Sequence, residues 1–379
     1  MNAQTDDSEL VLTTETRDQW DREFFEDFLL MERHLHKNNL NHLFKSLGDY
    51  RKKFRPEAPF NQSNHWCACI VYDQKHQPLS GAIVSAQKTK AKFISIGHLQ
   101  LANNQKAFSQ ILVVAKSFAL ENKVSELRTP IDGTFFDQYR IKSKGSDDVP
   151  LFFNEPHHPD YYHDLFSSED FEIAHRWQTL KFTTEDLRKK FSETNNQKLR
   201  VRNLRKAQWL NELNVIHRLL HQSFSKMPDF VPLSFKEFLV LYEPIKLLVD
   251  PKLIWFVSNE VTEQGFLVSI MDPYKELINF QNKTKWYYRL PVMGQILLLR
   301  RLKRIDPDKR LVVYYLGKNP ECKEKGITAK IGELVIRTTA HARCKEMLIA
   351  YVSEDSPVRK TLPEKYEVIR DYVLYKLNL

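Results

Sequence analysis

The sequence predicts a duplicated α/β fold, and three observations carry that expectation. Short alternating runs of the strand period are interleaved with stretches of helical period along the 379 residues. The order of those runs repeats in the two halves of the chain. A hydrophobic fraction of 42% with 24 Phe supplies enough apolar surface for two cores, and the length suits two domains of ordinary size.

The first half opens with a β-like run over Leu10–Thr13 and a helical region over Arg17–Leu47, where Trp20, Phe24, Phe28, Leu29 and Met31 keep mostly helical spacing. HWCACIVYDQ (His65–Gln74) alternates and reads as a strand, the Gln77-Pro78 turn leads into a second over Ser80–Ala86, and Lys92–Leu101 reads as a third. Phe108–Leu120 reads as a helix with Ile111, Leu112 and Ala115 on one face. A strand over Glu126–Arg128, a turn at Pro130, a polar loop near Lys144–Asp148, a short helix starting near Asp160 and a strand over Phe171–Phe182 complete the half.

TTEDLRKKFSETNN (Thr183–Asn196) loses the apolar pattern and reads as the linker, giving domains over residues 1–185 and 196–379. The order then restarts. KLRVRNL is strand-like and Ala207–Phe224 helical, and Ser234 with Glu237 three residues on forms a capping box for a second helix. Strands are expected over Leu253–Asn259, Gly265–Met271 and Leu311–Gly317, with a partly basic helical insertion over Trp286–Arg304. Thr328–Cys344 reads as a helix, MLIAYV as a strand and Val368–Leu377 as the closing strand.

A net charge of +9 fits an anionic partner such as nucleic acid, an acidic membrane surface or a phosphorylated cofactor, beside the plainer reading of a solvated basic surface. Cys67 and Cys69 stand two apart on one strand face, a spacing that suits neither a redox CxxC pair nor a zinc knuckle, and Cys322 and Cys344 stand alone. Reduced thiols in a cytoplasmic protein are the expected state. The stretch MNAQTDDSEL has neither the basic nor the apolar region of a secretory signal, and no apolar run approaches the roughly 20 residues of a membrane span.

Only 10 residues are Gly, yet two fall in YYLGKNPECKEKGIT (Tyr314–Thr328), between a strand and a helix. A strand that delivers a short glycine-containing loop into a helix N-terminus makes an anion site: backbone N–H groups converge there and the helix dipole adds partial positive charge. Gly326 frees the backbone for close approach, Lys323 and Lys325 add mobile charge, and Thr328 can cap the helix or bond a phosphate oxygen. An ordinary strand–loop–helix turn with solvated lysines is the alternative. Neither GxxxxGK[ST] nor GxGxxG is present.

KEKGIT (Lys323–Thr328) resembles the [RQ]-x-x-G-x-[GA] loop with which the GNAT acyltransferases bind the pyrophosphate of acyl-CoA, with Lys in the first position and Thr in the last. The repeated element order is similar to that of tandem GNAT-like proteins of bacteria. DFVPLSFKEF, DPKLIWFV, MDPYKELINF, DYVLYKL, TPID (Thr129–Asp132) and FFNEPHHPDYYHDLF (Phe152–Phe166) add to the likeness, which covers nearly the whole chain. The resemblance implies two GNAT-like domains, each a mixed, mostly antiparallel sheet flanked by helices. The corresponding first-half loop, LANNQKAF (Leu101–Phe108), has no glycine, so only the second domain is expected to hold the cofactor.

The resemblance also implies roles. Tyr315, Leu316 and Gly317 fall where pantetheine pairs with the fourth strand, and Gly317 would let the thioester approach, unless it only ends the strand. Lys323, Lys325, Gly326, Ile327 and Thr328 would hold the pyrophosphate, and Ser356 falls near a family residue that contacts CoA. Direct transfer needs a base, an acid and a donor to the carbonyl oxygen, for which Glu354, Ser353 and Tyr366 are the candidates beside their reading as solvated loop residues. His157, His158, Asp160 and His163 crowd together without a recognised zinc spacing, so no metal is expected. Leu297–Arg310 holds six basic residues, either a solvated helix face or a surface for RNA, membrane or the 3′-phosphate of CoA. The expected activity is transfer from acetyl-CoA or another acyl-CoA to an unidentified amine acceptor. A non-catalytic ligand-binding protein and an aminoacyl transferase using charged tRNA are the alternatives.

Overall fold

The computed structural model describes residues 11–143, 150–191, 198–227, 230–247, 249–283, 285–303 and 309–379, which fall into two compact units. Among the described residues the first unit draws on 11–143, 156–174 and 374–379, the second on 150–155 and on those between 175 and 373.

In the first unit, β1 (Thr13–Arg17) precedes α1 (Arg22–Leu35), α2 (Leu47–Phe54) and α3 (Pro59–Ser63). An antiparallel meander follows: β2 (Asn64–Tyr72), β3 (Pro78–Gln87) and β4 (Ile94–Gln100). Next come α4 (Gln105–Glu121), β5 (Glu126–Thr129), β6 (Ile141–Lys142) and α5 (Tyr162–Ser167). The expected helix over 17–47 is shorter at both ends: Asp21 caps α1, accepting from Glu23 N and Phe24 N, and the chain turns away at His36. Phe25, Phe28, Tyr50, Phe54 and Trp66 are buried together between α1, α2 and β2, so the aromatic richness of this half is core.

The second unit takes most of β7 (Glu172–Thr183), then α6 (Thr184–Lys190), β8 (Arg200–Asn203), α7 (Trp209–Phe224) and α8 (Phe235–Tyr242). A second meander is formed by β9 (Ile254–Ser258), β10 (Glu263–Met271) and β11 (Leu311–Lys318), with α9 (Tyr274–Gln281) and α10 (Pro291–Lys303) inserted before β11. Then come α11 (Ile327–Ala342), β12 (Glu346–Ser353) and β13 (Glu367–Asn378). Its sheet runs β8-β9-β10-β11-β12-β7. In that order β8–β9, β9–β10, β10–β11 and β12–β7 are antiparallel, and β11 pairs with β12 in parallel, as β4 does with β5 in the first unit.

Two expectations change here. The stretch read as a linker holds the helix α6, started by Thr183 as N-cap and anchored by buried Leu187; residues 192–196 lie outside the described part. The boundary falls at 174/175 instead of 185/196, because β7 pairs with β12 from Trp177 to Thr183. In return the end of β13 completes the first unit, where Tyr375–Asn378 pair with β5.

Candidate functional site

In the second unit, β11 and β12 run side by side only at Leu311–Val313 against Met347–Ile349, and beyond that they part into a fork. Each arm carries an irregularity at the parting point. Val268 pairs with Tyr315 and Ser269 with Val313, leaving Tyr314 as a bulge. In β12, Ala350 and Tyr351 face a single β7 residue, and Tyr351 is left-handed with φ 58°. Leu311, Val313, Met347 and Ile349 pack toward Ile327, Ile331 and Leu334 of α11. Val312, Leu348 and Ala350 point to the other face, which Phe152 covers.

Phe152 belongs to a strap, residues 150–155, held at both ends by charge. Arg310 bonds the carbonyl oxygens of Pro150 and Leu151 and pairs with Asp272 at 2.7 Å, and Asp272 also accepts from Phe153 N at 2.9 Å. At the other end Glu155 pairs with Arg370 at 2.7 Å. Tyr314 donates its hydroxyl to the Phe153 carbonyl, and Tyr351 donates to that of Asn154 at 3.1 Å. Burial pushes the Tyr314 hydroxyl well above its usual range, so it stays a donor.

From the fork, β11 leads into the loop singled out by its glycines. Asn319 shapes the first part, donating from its backbone and side chain to Gln264 and accepting from Glu321 N. Gly326 ends it at φ 91°, a conformation that favours glycine, as the N-cap of α11. Among the described residues no side chain caps that helix, and its first turn carries no acid. Lys323, Lys325, Gly326 and Thr328 are exposed, while Ile327 is buried and fixes the turn. It sits where a Cβ on Gly265 would come within 2.8 Å of its Cγ2. Lys330, by contrast, is buried and paired with Glu333 at 2.8 Å.

The equivalent turn of the first unit is closed by its own side chains. Asn104 caps α4 by accepting from Ala107 N at 2.9 Å, Tyr162 accepts from Leu101 N at 2.7 Å, and Ser80 accepts from Ala102 N at 3.0 Å. The β4–β5 fork is filled as well. Ile131 N donates to Ile96 O at 2.9 Å, His98 N donates to Asp132 Oδ1 at 2.6 Å, and a Cβ on Gly97 would stand 2.0 Å from the Ile131 carbonyl oxygen.

The other expected residues are distributed unevenly. Tyr315 turns toward α7 and α8, sharing a hydroxyl hydrogen bond with Tyr242 at 2.8 Å, and Leu316 packs on the α11 side. Packing accounts for Gly317, where a Cβ would meet Ser223 Oγ at 3.1 Å and Phe266 at 3.3 Å. Ser353 lies buried at the fork end of β12, with Oγ 3.0 Å from His175 Nε2; Glu354 beside it is exposed, its N–H bound to Arg176 O. Ser356 caps the turn over Pro357–Thr361. Tyr366 sits elsewhere: it packs on Phe182, which is in register with Met347, six residues down β12 from Ser353. At the strand rise that separation is roughly 20 Å. His163 bonds Tyr375 and the Lys142 carbonyl, away from the grouping its sequence neighbours suggested. Arg310 serves the strap, and residues 304–308 of the basic stretch lie outside the described part. A cleft of about 590 Å³ lined by Trp209, Leu210, Leu239, Glu243 and Lys246 opens at the first turn of α7, about 20 Å along that helix from Ser223. It belongs to neither fork nor loop.

A meander, a helix, and a parallel strand that splays from a bulged neighbour, made twice, define the architecture. No known family profile and no curated protein matches the sequence. Solved structures do match. A conserved protein of unknown function from Enterococcus faecalis has a TM-score of 0.57 at 7% identity, covering 97% of this chain and 73% of its own. A GCN5-related N-acetyltransferase from Anabaena variabilis has a TM-score of 0.55 at 8%, with coverages of 96% and 72%. A tandem GNAT protein from the clavulanic acid biosynthesis pathway has a TM-score of 0.53 at 8%, with coverages of 97% and 98%. The chain carries the tandem GNAT fold. In the terms of that fold, β11 and β12 are the fourth and fifth strands of the second unit and α11 its third helix. Among the described residues no helix is long and apolar enough to cross a membrane.

Proposed function

We propose that the second GNAT unit is an acyl-CoA-dependent N-acyltransferase, with acetyl-CoA the simplest donor and an amine the acceptor. One observation carries the reading. Among the described residues no side chain caps the N-terminus of α11 at left-handed Gly326, whereas Asn104 closes the equivalent α4. First-turn N–H groups of a helix have no partner within it, and the dipole favours negative charge there, so the open turn suits a pyrophosphate. Exposed Lys323 and Lys325 add charge beside it, and the first unit serves as scaffold. In the reaction the amine nitrogen bonds to the thioester carbonyl carbon, the C–S bond breaks with its electron pair on sulfur, and the proton lost by the amine balances the one gained by the thiolate. In this reading Ser353 and His175, 3.0 Å apart at the fork end of β12, move the proton. Four free cysteines fit a reducing, cytoplasmic setting.

Isothermal titration with acetyl-CoA and a longer acyl-CoA tests the reading. Micromolar binding is expected, lost in Gly326→Asp, which sets a negative side chain in the turn. The absence of heat or thermal shift with any acyl-CoA overturns it. A second reading, a binding protein without chemistry, is favoured by the engagement of the Tyr314 and Tyr351 hydroxyls on strap carbonyls. Thiol release from acetyl-CoA in the presence of a panel of amines separates the two.

A further inference from the structure

We propose that the first unit carries a binding site for a divalent transition metal, zinc by its ligand chemistry, formed by the imidazoles of His36, His42 and His157. The expectation of no metal rested on spacing within His157–Asp164, and two of these three ligands come from elsewhere in the sequence. His36 is the C-cap of α1. Two turns follow, Asn39 N donating to His36 O at 2.9 Å and His42 N to Asn39 O at 3.1 Å, and they fold the chain back on itself. The rings of His36 and His42 end 3.7 Å apart, and His157 closes the third side with ring centroids at 6.0 and 6.3 Å. One ligand nitrogen from each of the three lies within 4.8 Å of the others.

Three neutral nitrogen donors with an open fourth position are a known zinc ligand set, the fourth ligand being water. Zn–N bonds of about 2.0–2.1 Å at tetrahedral angles need nitrogens about 3.3 Å apart. His36 and His42 stack with only 2° between ring planes, so one ring must turn about its Cβ–Cγ bond to aim at a common point. That torsion is broad and soft. His42 is the better fixed, because its Nε2 is 3.0 Å from the carboxylate of buried Glu32, which also accepts from Lys45 N at 3.1 Å. A ligand histidine bonded through its second nitrogen to a carboxylate is the usual support of a metal site, and the contact of His42 Nε2 with Glu32 has that form. Packing alone does not call for this arrangement, since apolar rings would fill the space without polar atoms to satisfy. His42 and His157 are half-buried, which leaves an entry path.

Chelator-stripped full-length protein is titrated with Zn²⁺ and Co²⁺ by isothermal titration and by visible absorption. One site per chain is expected, with tetrahedral Co²⁺ bands displaced by Zn²⁺ and a chelator-reversible rise in Tm. His42→Gln and His157→Gln should each weaken binding at least tenfold, and Glu32→Gln should weaken it about 10- to 100-fold as a supporting residue. His65→Gln, exposed on β2, should leave binding unchanged. X-ray absorption of the zinc-loaded wild type, which needs no variant to fold, should show nitrogen or oxygen neighbours at about 2.0–2.1 Å and no sulfur. No uptake by the wild type, uptake that survives His42→Gln/His157→Gln, or a sulfur shell each overturns the proposal.

Discussion

Glu155 and Arg370 form an ion pair at 2.7 Å with both side chains almost wholly withdrawn from solvent. Phe152 N and the Tyr372 hydroxyl also donate to the Glu155 carboxylate, so the pair ties the end of the strap to the closing strand. Removing one partner strands the other as a buried charge, which costs about 3–5 kcal/mol. Glu155→Gln and Arg370→Met should each lower stability by that order in urea unfolding. The double variant should lose less than the sum, because neither charge is then left alone. Additive losses would mean the pair does not interact in solution.

Phe152 tests the same strap through packing. Its ring is 1% exposed and lies against Val312, Leu348 and Ala350 at the fork. Phe152→Ala should cost about 3–5 kcal/mol if the cavity does not collapse. A loss below about 1 kcal/mol would show that the strap leaves the fork face in solution.

Asp132 gives the first unit an acid-sensitive point. Burial alone would raise its carboxyl, but His98, Lys45 and Lys53 outweigh that and hold it well below the usual carboxylate range. Its Oδ2 accepts from Lys45 Nζ at 2.9 Å. A depressed folded-state value means that the charged form stabilises the fold above the unfolded value of about 3.9, and that this is lost as pH falls below it. The slope for one group is at most about 1.4 kcal/mol per pH unit. Asp132→Asn should therefore be less stable than wild type at pH 7, with the gap narrowing below about pH 4. A gap independent of pH would assign the effect to packing.

Much of this architecture was legible, and the reasons differ by element. α4 carries clean helical periodicity because it buries one face, through Phe108, Ile111, Leu112 and Ala115, while β4 reads as a strand although all seven of its residues are buried. Gly326 could be singled out because a rare residue stood where a strand meets a helix, and its positive φ gives the physical reason. Gly317 looked similar in sequence but answers to Ser223 on α7, a contact 94 positions away that no local pattern encodes. The linker reading failed because one buried residue, Leu187, is too faint a signal for a seven-residue helix. The strap was unreadable for a further reason: its meaning lies in Asp272, Arg310 and Arg370, all distant in sequence. Neither spacing nor composition announces the turn that stacks the rings of His36 and His42.

The two forks give a paired prediction about glycine. At Gly97 an added Cβ would meet backbone, 2.0 Å from the Ile131 carbonyl oxygen, and no rotamer change relieves that. At Gly317 the nearest atom is the Ser223 hydroxyl at 3.1 Å, the end of a small side chain that can shift. Overpacking costs typically about 1–3 kcal/mol and more where backbone must move. Gly97→Ala should thus fall at or above the top of that range, and Gly317→Ala at or below its bottom, in matched denaturant titrations. Equal losses would mean that the first fork is not filled by Ile131.

Ser353 and Tyr366 test the acyl-transfer reading separately. Ser353 has its Oγ 3.0 Å from His175 Nε2 at the fork end of β12, whereas Tyr366 packs on Phe182 toward the other end of the same strand. A group that passes a proton in the transition state is worth about 10²–10⁴ in rate. Under the acyl-transfer reading, Ser353→Ala should lower kcat by about 10² or more, with the dissociation constant for acyl-CoA within twofold of wild type, because the cofactor turn at Gly326 is untouched. Tyr366→Phe should leave both unchanged, since roughly 20 Å of strand stands between the Phe182 level where it packs and Ser353. The measurement is thiol release under saturating acceptor, with acyl-CoA affinity taken separately by titration. If Tyr366→Phe abolishes turnover and Ser353→Ala does not, the reaction takes place at the opposite end of the sheet and the fork is not its site.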